Sequence, residues 1–297
     1  MARPRLARAL SVCRVAAFGA AAALVPAAAG ELPQAVRIEV EQLYEYRKPS
    51  QVAFDAIAGF ELPVADYVED MLYAAGVEPL LGDDPGEAGA TVRIRLRGQA
   101  LGSTYFEPVK AFLYTGAQLS GDVAVLQPGE APVERSFAAE IQRPFQVSLN
   151  LGYEDPHNAP FQETLEQPGG FVLELAAALA EAWGTEAIVP SLFEGDPVLR
   201  YSVADLLGDI GDATVVPDLL ETLADDHPRV RWESAWALGR IGAPEAVPDL
   251  IAALEDESED VRWFSSWSLR TITGEDFGQD PVQWQAWWDE READTGT

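Results

Sequence analysis

The sequence predicts a small α+β domain at residues 30–169, followed by an all-α solenoid of helical repeats at residues 170–290. Before residue 170, apolar and polar residues alternate in several segments, which is the period of a β-strand. After residue 170, apolar residues recur at helical spacing and a unit of 31 residues repeats. Such a repeat is typical of stacked helical pairs, in which each unit buries its apolar face against its neighbours.

The first 29 residues have the layout of a secretory signal peptide. Four arginines lie within residues 3–14, an apolar run covers residues 15–25, and Pro26 is followed by three alanines. The apolar run is too short to cross a bilayer as a helix. We therefore expect cleavage near residue 29 and export to the bacterial periplasm or the medium, with no stable insertion in the membrane. Cleavage would also remove Cys13, the only cysteine.

The chain is strongly acidic. It contains 49 Asp and Glu against 20 Lys and Arg, a formal net charge of −29, and 48% of its residues are hydrophobic. That hydrophobic content is enough for folded domains, and the charge offers no attraction to phosphate backbones or anionic lipid. Nucleic acid is therefore excluded as an expected partner, whereas a basic protein is favoured.

The α+β domain is predicted to have the element order β-α-β-β-β-α. Alternating apolar residues mark its first two strands, and a helix that ends at Gly76 lies between them. A Gln-Pro-Gly-Glu turn joins the last two strands, and an apolar helix then leads into the repeats. The predicted segments are strands at 36–40, 92–97, 111–126 and 133–142, and helices at 64–76 and 170–183.

The solenoid is predicted from three blocks that align without gaps: residues 196–226, 227–257 and 258–288. Each block is expected to form two helices. In the second block, Gly242 is placed to end the first helix and Pro248 falls in the first turn of the next. The same glycine-to-proline spacing occurs at Gly184 and Pro190, so a partial repeat precedes the first block.

The pattern VR-x4–5-A-x2-L-G-x-I-G, followed by AVP-x-L-x3-L, resembles the short HEAT-like repeats first described in phycobilisome lyases. This resemblance covers residues 184–290 and implies an α-solenoid. Such repeats mostly serve as interaction scaffolds, and only some carry pigment-lyase chemistry. The segment with Trp284, Trp287 and Trp288 resembles the closing segment of bacterial HEAT-repeat proteins, which implies a cap over the last repeat.

No catalytic residue, cofactor site or metal site is predicted. The two histidines, His157 and His227, lie in turns far apart in the sequence. Motifs for nucleophilic hydrolysis, nucleotide binding and zinc proteases are missing. Acidic pairs such as Asp83-Asp84 lack the spacing of a calcium-binding loop, so we expect them to be solvated turns.

One arginine recurs at the same position of each block, as Arg200, Arg231 and Arg262. In similar repeats this arginine pairs with the acidic turn of the neighbouring repeat. The resemblance therefore implies a ladder of ion pairs with Asp225, Asp226 and Asp256, in which the arginines maintain the stacking of repeats.

Aromatic residues also recur, at two positions of the first helix of each block. We call them the aromatic row: Tyr201, Trp232, Trp236, Trp263 and Trp267. At about 100° per residue, the tryptophans lie nearly opposite the apolar stripe of their helices, so they are predicted to share one surface of the solenoid. Exposed aromatic surface of this extent needs a cover. The candidates are the N-terminal domain, a protein or peptide partner, and a sugar-like ligand.

These observations predict an exported, non-enzymatic scaffold that binds another envelope or extracellular protein through the aromatic row, without a cofactor. One alternative is a ligand-binding or lyase-like protein, in which the tryptophans hold a glycan or a chromophore. Another is a solenoid that only extends a binding domain at the N-terminus. Exposure of the aromatic row separates these hypotheses, because a row packed on residues 31–169 would favour the last one.

Overall fold

The computed structural model of the chain describes residues 32–46, 62–82, 86–102, 104–106, 111–142, 145–148, 164, 165, 167 and 170–295. The predicted signal peptide lies outside the described residues, as do Asp83-Asp84 and His157. Within the described residues, no helix is both long enough and apolar enough to cross a membrane.

The N-terminal part is built from eight described strands and one helix. The strands are β1 (Ala35–Tyr46), β2 (Glu78–Leu81), β3 (Ala90–Leu101), β4 (Thr104–Phe106), β5 (Ala111–Tyr114), β6 (Gly116–Leu126), β7 (Val133–Ile141) and β8 (Phe145–Ser148). The helix is α1 (Val64–Ala74). The predicted α+β class is confirmed. The strand predicted at 111–126 is wrong as one element, because it divides into β5 and β6, which lie in different sheets. The predicted order also omitted β2, β4 and β8. Each of these strands has three or four residues, which is too short to establish a period in the sequence.

The strands form two sheets. The larger sheet has the order β2-β1-β3-β6-β7, and the smaller sheet has the order β4-β5-β8. In the larger sheet β1 is parallel to β2 and to β3, whereas β3, β6 and β7 are antiparallel. One face carries buried apolar residues such as Ile38, Ile94 and Leu119. The opposite face is polar, and there Arg93 Nε donates to Glu39 Oε2 at 2.8 Å.

Seven helices follow in the C-terminal part. They are α2 (Phe171–Trp183), α3 (Pro197–Ile210), α4 (Val216–Glu221), α5 (Pro228–Ile241), α6 (Val247–Ala252), α7 (Glu259–Thr273) and α8 (Pro281–Thr295), with short 3-10 turns between several of them. We call α3, α5 and α7 the A helices, which stack on one another. We call α4, α6 and α8 the B helices. Each predicted block therefore forms an A helix and a B helix, and Gly242 ends α5 with a φ of 75°, in the left-handed region.

Helix α2 joins the two parts of the molecule. It is apolar on nearly all sides, as expected for a helix with no solvent face. On the sheet side, Phe171 meets the ring of Phe137 edge-on at 5.7 Å, and Arg135 Nη2 donates to Glu181 Oε2 at 2.7 Å. On its other side α2 packs against α3. The two parts therefore share one continuous core, and the boundary at residue 170 stays a prediction.

Helix α8 covers the end of the B layer. Trp284 is fully buried, its indole N–H donates to the Gly278 carbonyl at 2.9 Å, and its ring meets Phe277 edge-on at 4.9 Å. Trp287 and Trp288 are half-buried against the same core. This burial is what the predicted cap requires. Helix α8 packs on α6, so it closes the layer of B helices.

Candidate interaction surface at the open end of the A helices

The arginine ladder connects successive repeats. Arg200 Nε donates to Asp225 Oδ2 at 2.9 Å, and Arg231 Nε donates to Asp256 Oδ2 at 2.8 Å. Arg231 also donates to the Asp225 carbonyl at 2.9 Å, so one guanidinium joins two inter-repeat turns. The predicted ladder is confirmed for Arg200 and Arg231, whose charges are engaged in holding the repeats together. Arg262 differs, because its Nη1 donates to the backbone carbonyls of Asp256 and Glu257, at 2.7 and 3.0 Å, in the turn before its own helix.

The carboxylates of this ladder are stabilised in their charged form. Burial by itself would raise the pKa of Asp256. Hydrogen bonds from Arg231 and from the Ser258 amide outweigh burial, so the pKa is lowered. The pKa of Asp225 is lowered for the same reasons, with Arg200 as the donor. Both aspartates therefore remain ionised within the stack.

The first junction between A helices, α3 against α5, is mostly charged. The Arg229 guanidinium carbon of α5 lies 3.7 Å from the centroid of the Tyr201 ring. Arg240 Nη2, also from α5, donates to Asp205 Oδ1 at 2.9 Å. Tyr201 is only 5% exposed. The first ring of the aromatic row is therefore buried, and a cation from the next A helix lies over it.

The second junction, α5 against α7, is aromatic. The ring of Phe264 on α7 stacks on Trp232 with centroids 4.5 Å apart and an interplanar angle of 15°. It also contacts Trp236, at 5.7 Å. Ser268 Oγ donates to the Ala235 carbonyl at 2.7 Å. Trp232 and Trp236 are consequently half-buried, again by the next A helix.

A glycine allows the helices to approach closely at each junction. A Cβ added at Gly208 would lie 2.7 Å from the Ala237 Cα, and one added at Gly239 would lie 2.7 Å from the Ser268 Cβ. Real side chains do not tolerate such contacts, so both positions require glycine. The equivalent position in the third block is Arg270, which is exposed.

Helix α7 presents the same set of positions with no A helix beyond it in the described residues. We call Trp263, Trp267 and Arg270 the terminal face; they follow Trp232, Trp236 and Gly239 by 31 residues. Trp263 is 47% exposed, Trp267 is half-buried, and Arg270 Nη1 lies 3.7 Å from Asp276 Oδ2. The terminal face is therefore an exposed aromatic surface at the end of the stack of A helices.

The five rings of the aromatic row differ in exposure, a question that the sequence left open. The row follows the side of each A helix that receives the next one, so exposure rises from Tyr201 through Trp232 to Trp263. Sequence reasoning missed the residues that cover the first rings, Arg229 and Phe264. Both lie on A helices, but neither has an aromatic or basic equivalent in the other blocks, so the repeat pattern gave no signal.

The surroundings of the terminal face are acidic. Residues 255–291 contain ten acidic and three basic side chains. Glu259 and Asp260 are exposed in the first turn of α7, next to Trp263 in the sequence. This distribution favours contact with a cationic surface.

His227 has a local structural role. It is the N-cap of α5, where its Nδ1 accepts a hydrogen bond from the Arg229 amide at 3.3 Å. Among the described residues, no three His, Cys, Asp or Glu side chains are grouped in a way that could hold a metal ion.

Comparison with known proteins places a family in the helical part. Residues 175–270 match the family described as HEAT repeats, and no curated protein matches the chain. The chain is similar to human deoxyhypusine hydroxylase in complex with glycerol, with 27% identity and a TM-score of 0.33 over 41% of this chain and 46% of that one. It is also similar to the complex of CpcE and CpcF of phycocyanin lyase from Nostoc sp. PCC7120, with 18% identity and a TM-score of 0.25 over 43% of this chain and 70% of that one.

The match to the human hydroxylase spans less than half of that protein's length. The family match, by contrast, starts in α2 and ends in α7, where the paired helices and the arginine ladder were found. The predicted resemblance is confirmed for this stretch: residues 175–270 match HEAT repeats and form an α-solenoid of stacked helical pairs.

Proposed function

We propose that the protein is an exported, non-enzymatic scaffold that binds a partner protein at the terminal face. The observation that carries the proposal is the 47% exposure of Trp263. The equivalent rings, Tyr201 and Trp232, are covered by the next A helix. Equivalent positions of the three A helices thus face the next helix of the stack. They are covered on α3 and on α5, and they are open on α7.

The composition of the terminal face supports a protein partner. Tryptophan and arginine are enriched among residues that dominate binding energy at interfaces, and the terminal face consists of Trp263, Trp267 and Arg270. HEAT repeats generally mediate contacts between proteins, and stacked repeats offer extended surfaces for that purpose. Export is supported by the sequence of the first 29 residues alone.

The non-enzymatic part of the proposal is supported by the engagement of the charged side chains near the A helices. Arg200 and Arg231 are held by carboxylates of the ladder, and Arg240 bridges Asp205 and Asp209. Each of these guanidinium groups is held by carboxylates within the stack of repeats. It stabilises the stack and is not presented to a substrate.

A crosslinking experiment tests the proposal. A photoreactive residue is introduced as Arg270→p-benzoylphenylalanine and, as the matched control, as Val282→p-benzoylphenylalanine, since Val282 is 75% exposed on α8. Both full-length variants are irradiated in the native envelope fraction. We expect a discrete protein adduct from position 270 that excess wild-type chain suppresses and that Trp263→Ala removes. Equal adducts from both positions, or adducts that survive Trp263→Ala, would contradict the proposal.

A glycan is the second candidate, because an exposed indole provides a flat apolar surface on which a sugar ring can stack. Trp263 is the exposed member of the aromatic row. Titration of tryptophan fluorescence with defined oligosaccharides tests it. A saturable change that Trp263→Ala abolishes, without any protein adduct at position 270, would favour this candidate over the scaffold.

A further inference from the structure

We infer that the terminal face takes a basic amphipathic helix of its partner, which docks as the next A helix of the stack. This inference rests on the proposed function and specifies the partner's chemistry. It follows from three features of the described residues: a repeated receiving surface, two internal examples of its occupant, and the charge around it.

The receiving surface uses equivalent helix positions at each junction, and an aromatic ring occupies the first of them every time. On α5 it consists of Trp232, Trp236 and Gly239, and these residues contact a parallel A helix. The terminal face repeats the two tryptophans on α7, on a helix of similar length. A surface of this shape therefore already accepts a helix within the same molecule.

The two covered junctions show which side chains such a helix brings. At the first junction Arg229 lies over Tyr201 at 3.7 Å and within 5.9 Å of Trp232. At the second junction Phe264 stacks on Trp232. A ring in this position is therefore covered by a guanidinium or by another ring. A helix that carries an arginine at this place gains a cation–π contact with Trp263.

The charge around the terminal face selects the arginine-bearing helix. Residues 255–291 carry ten acidic and three basic side chains, and Glu259 and Asp260 lie in the first turn of α7, one turn before Trp263. Opposite charge across an interface speeds association and disfavours wrong partners. A second copy of this chain, with its net charge of −29, meets repulsion at the same surface.

Arg270 limits how the helix is seated. Where Gly208 and Gly239 allow close approach, Arg270 places a long cationic side chain. The docked helix is consequently held by Trp263 and Trp267 and diverges from α7 towards Arg270. The arginine also opposes a basic helix at that end, so replacing it with an acid is expected to strengthen binding.

The probe for the test comes from the chain itself. A blocked peptide with the sequence of α5, residues 228–241, carries three arginines and one glutamate. The matched control peptide carries Arg229→Glu. Binding to the full chain is measured by isothermal titration at two salt concentrations, and helix formation is followed by far-ultraviolet circular dichroism.

We expect the α5 peptide to bind, to gain helix on binding, and to bind more weakly at high salt. Trp263→Ala in the full chain should weaken binding about tenfold, as for the loss of an interface anchor. Arg270→Glu should tighten binding by roughly threefold, since an exposed charge pair makes only a small contribution to affinity. A misfolded protein would bind the peptide more weakly. Tighter binding by Arg270→Glu therefore cannot be an artefact of misfolding.

Several results would overturn the inference. These are equal binding of the α5 peptide and its Arg229→Glu control, binding without a gain of helix, and binding that is insensitive to Trp263→Ala. A concentration-dependent dimer in analytical ultracentrifugation that Trp263→Ala dissociates would identify a second copy as the occupant instead. If crosslinking at position 270 succeeds while the peptide fails to bind, the scaffold function stands and the helical, basic nature of the partner is wrong.

Discussion

The two ends of the solenoid are covered differently. At the N-terminal end, α2 lies between the larger sheet and α3, and its residues Phe171, Leu175 and Leu179 have almost no exposed surface. At the C-terminal end, α8 covers the B helix α6, but Trp263 on the A helix α7 remains 47% exposed. A repeat array needs polar or covered ends to remain soluble. The difference therefore indicates that the N-terminal end is covered to stabilise the fold. The C-terminal end combines a stabilising cap with an exposed surface.

The largest expected effect separates the cap from the terminal face. Trp284→Ala removes a fully buried ring and a hydrogen bond to Gly278. It should lower the free energy of unfolding by about 3–5 kcal/mol. The matched variant Trp263→Ala should change it by less than about 1 kcal/mol, as for an exposed site. Urea denaturation of both variants measures the contrast.

Equal destabilisation by the two tryptophan variants would break the comparison. It would mean that Trp263 contributes to the core to the same extent as Trp284, and that the C-terminal end has no free surface. Wild-type stability in Trp284→Ala would be equally damaging, because the B layer would then need no cap.

An intermediate effect is expected at the glycine position. Gly239→Ala places a Cβ against Ser268 of the next A helix. Overpacking of this kind costs about 1–3 kcal/mol, partly offset by the better helix propensity of alanine. Arg270→Ala, at the equivalent position of the terminal face, should change the unfolding free energy by less than about 0.5 kcal/mol. Thermal denaturation followed by circular dichroism tests the pair.

A stabilising Gly239→Ala would show that α5 and α7 are further apart than described. A strong loss of stability in Arg270→Ala would show that the terminal face is packed. Either result would contradict the comparison between the covered surface of α5 and the open terminal face of α7.

The smallest expected effects concern the pH dependence of the free energy of unfolding. The contributions of Asp256, in the ladder, and Glu174, on α2, change with pH in opposite directions. The pKa of Asp256 in the ladder is lowered, because hydrogen bonds from Arg231 and Ser258 outweigh burial. Its contribution to stability is therefore present above its ordinary pKa of 3.8 and is lost as the pH falls through the lower, folded value. The Asp256→Asn variant should lack this contribution at neutral pH. Its free energy of unfolding should therefore decrease less than that of the wild type as the pH is lowered.

The pKa of Glu174 on α2 is raised, because burial outweighs its attraction to Arg135. The folded state then holds the proton more tightly than the unfolded state, so stability falls as the pH rises from 4.5 through the folded value. Glu174→Gln should remove this fall, with a change of at most about 1 kcal/mol at neutral pH. Unfolding free energies measured between pH 3 and 7 test both variants. The same pH slope in Glu174→Gln and wild type would contradict the assignment.

The sequence predicted the repeated features and missed contacts made by residues that have no equivalent in the other blocks. The 31-residue spacing was enough to place the helical pairs, and the resemblance to HEAT-like repeats implied the ladder of Arg200 and Arg231. It could not place Phe264 over Trp232, because the equivalents of Phe264 in the other blocks are Glu233 and Ser202. A helical wheel shows only the stripe of one helix, whereas an A helix also contacts the A helices before and after it. That second contact determines the exposure of Tyr201 and Trp263.

The presence of Arg270 at the position of Gly208 and Gly239 also bears on whether copies of the chain can join end to end. An array of identical repeats has no intrinsic end, because each receiving surface fits another copy of the same unit, and such a head-to-tail contact grows into filaments when it does not close. A glycine at residue 270 would let a helix of another chain approach α7 as closely as α7 approaches α5. Arg270 excludes that close approach, so a helix docked on α7 is seated less tightly than an A helix inside the stack. At the other end of the stack, the sheet covers α2.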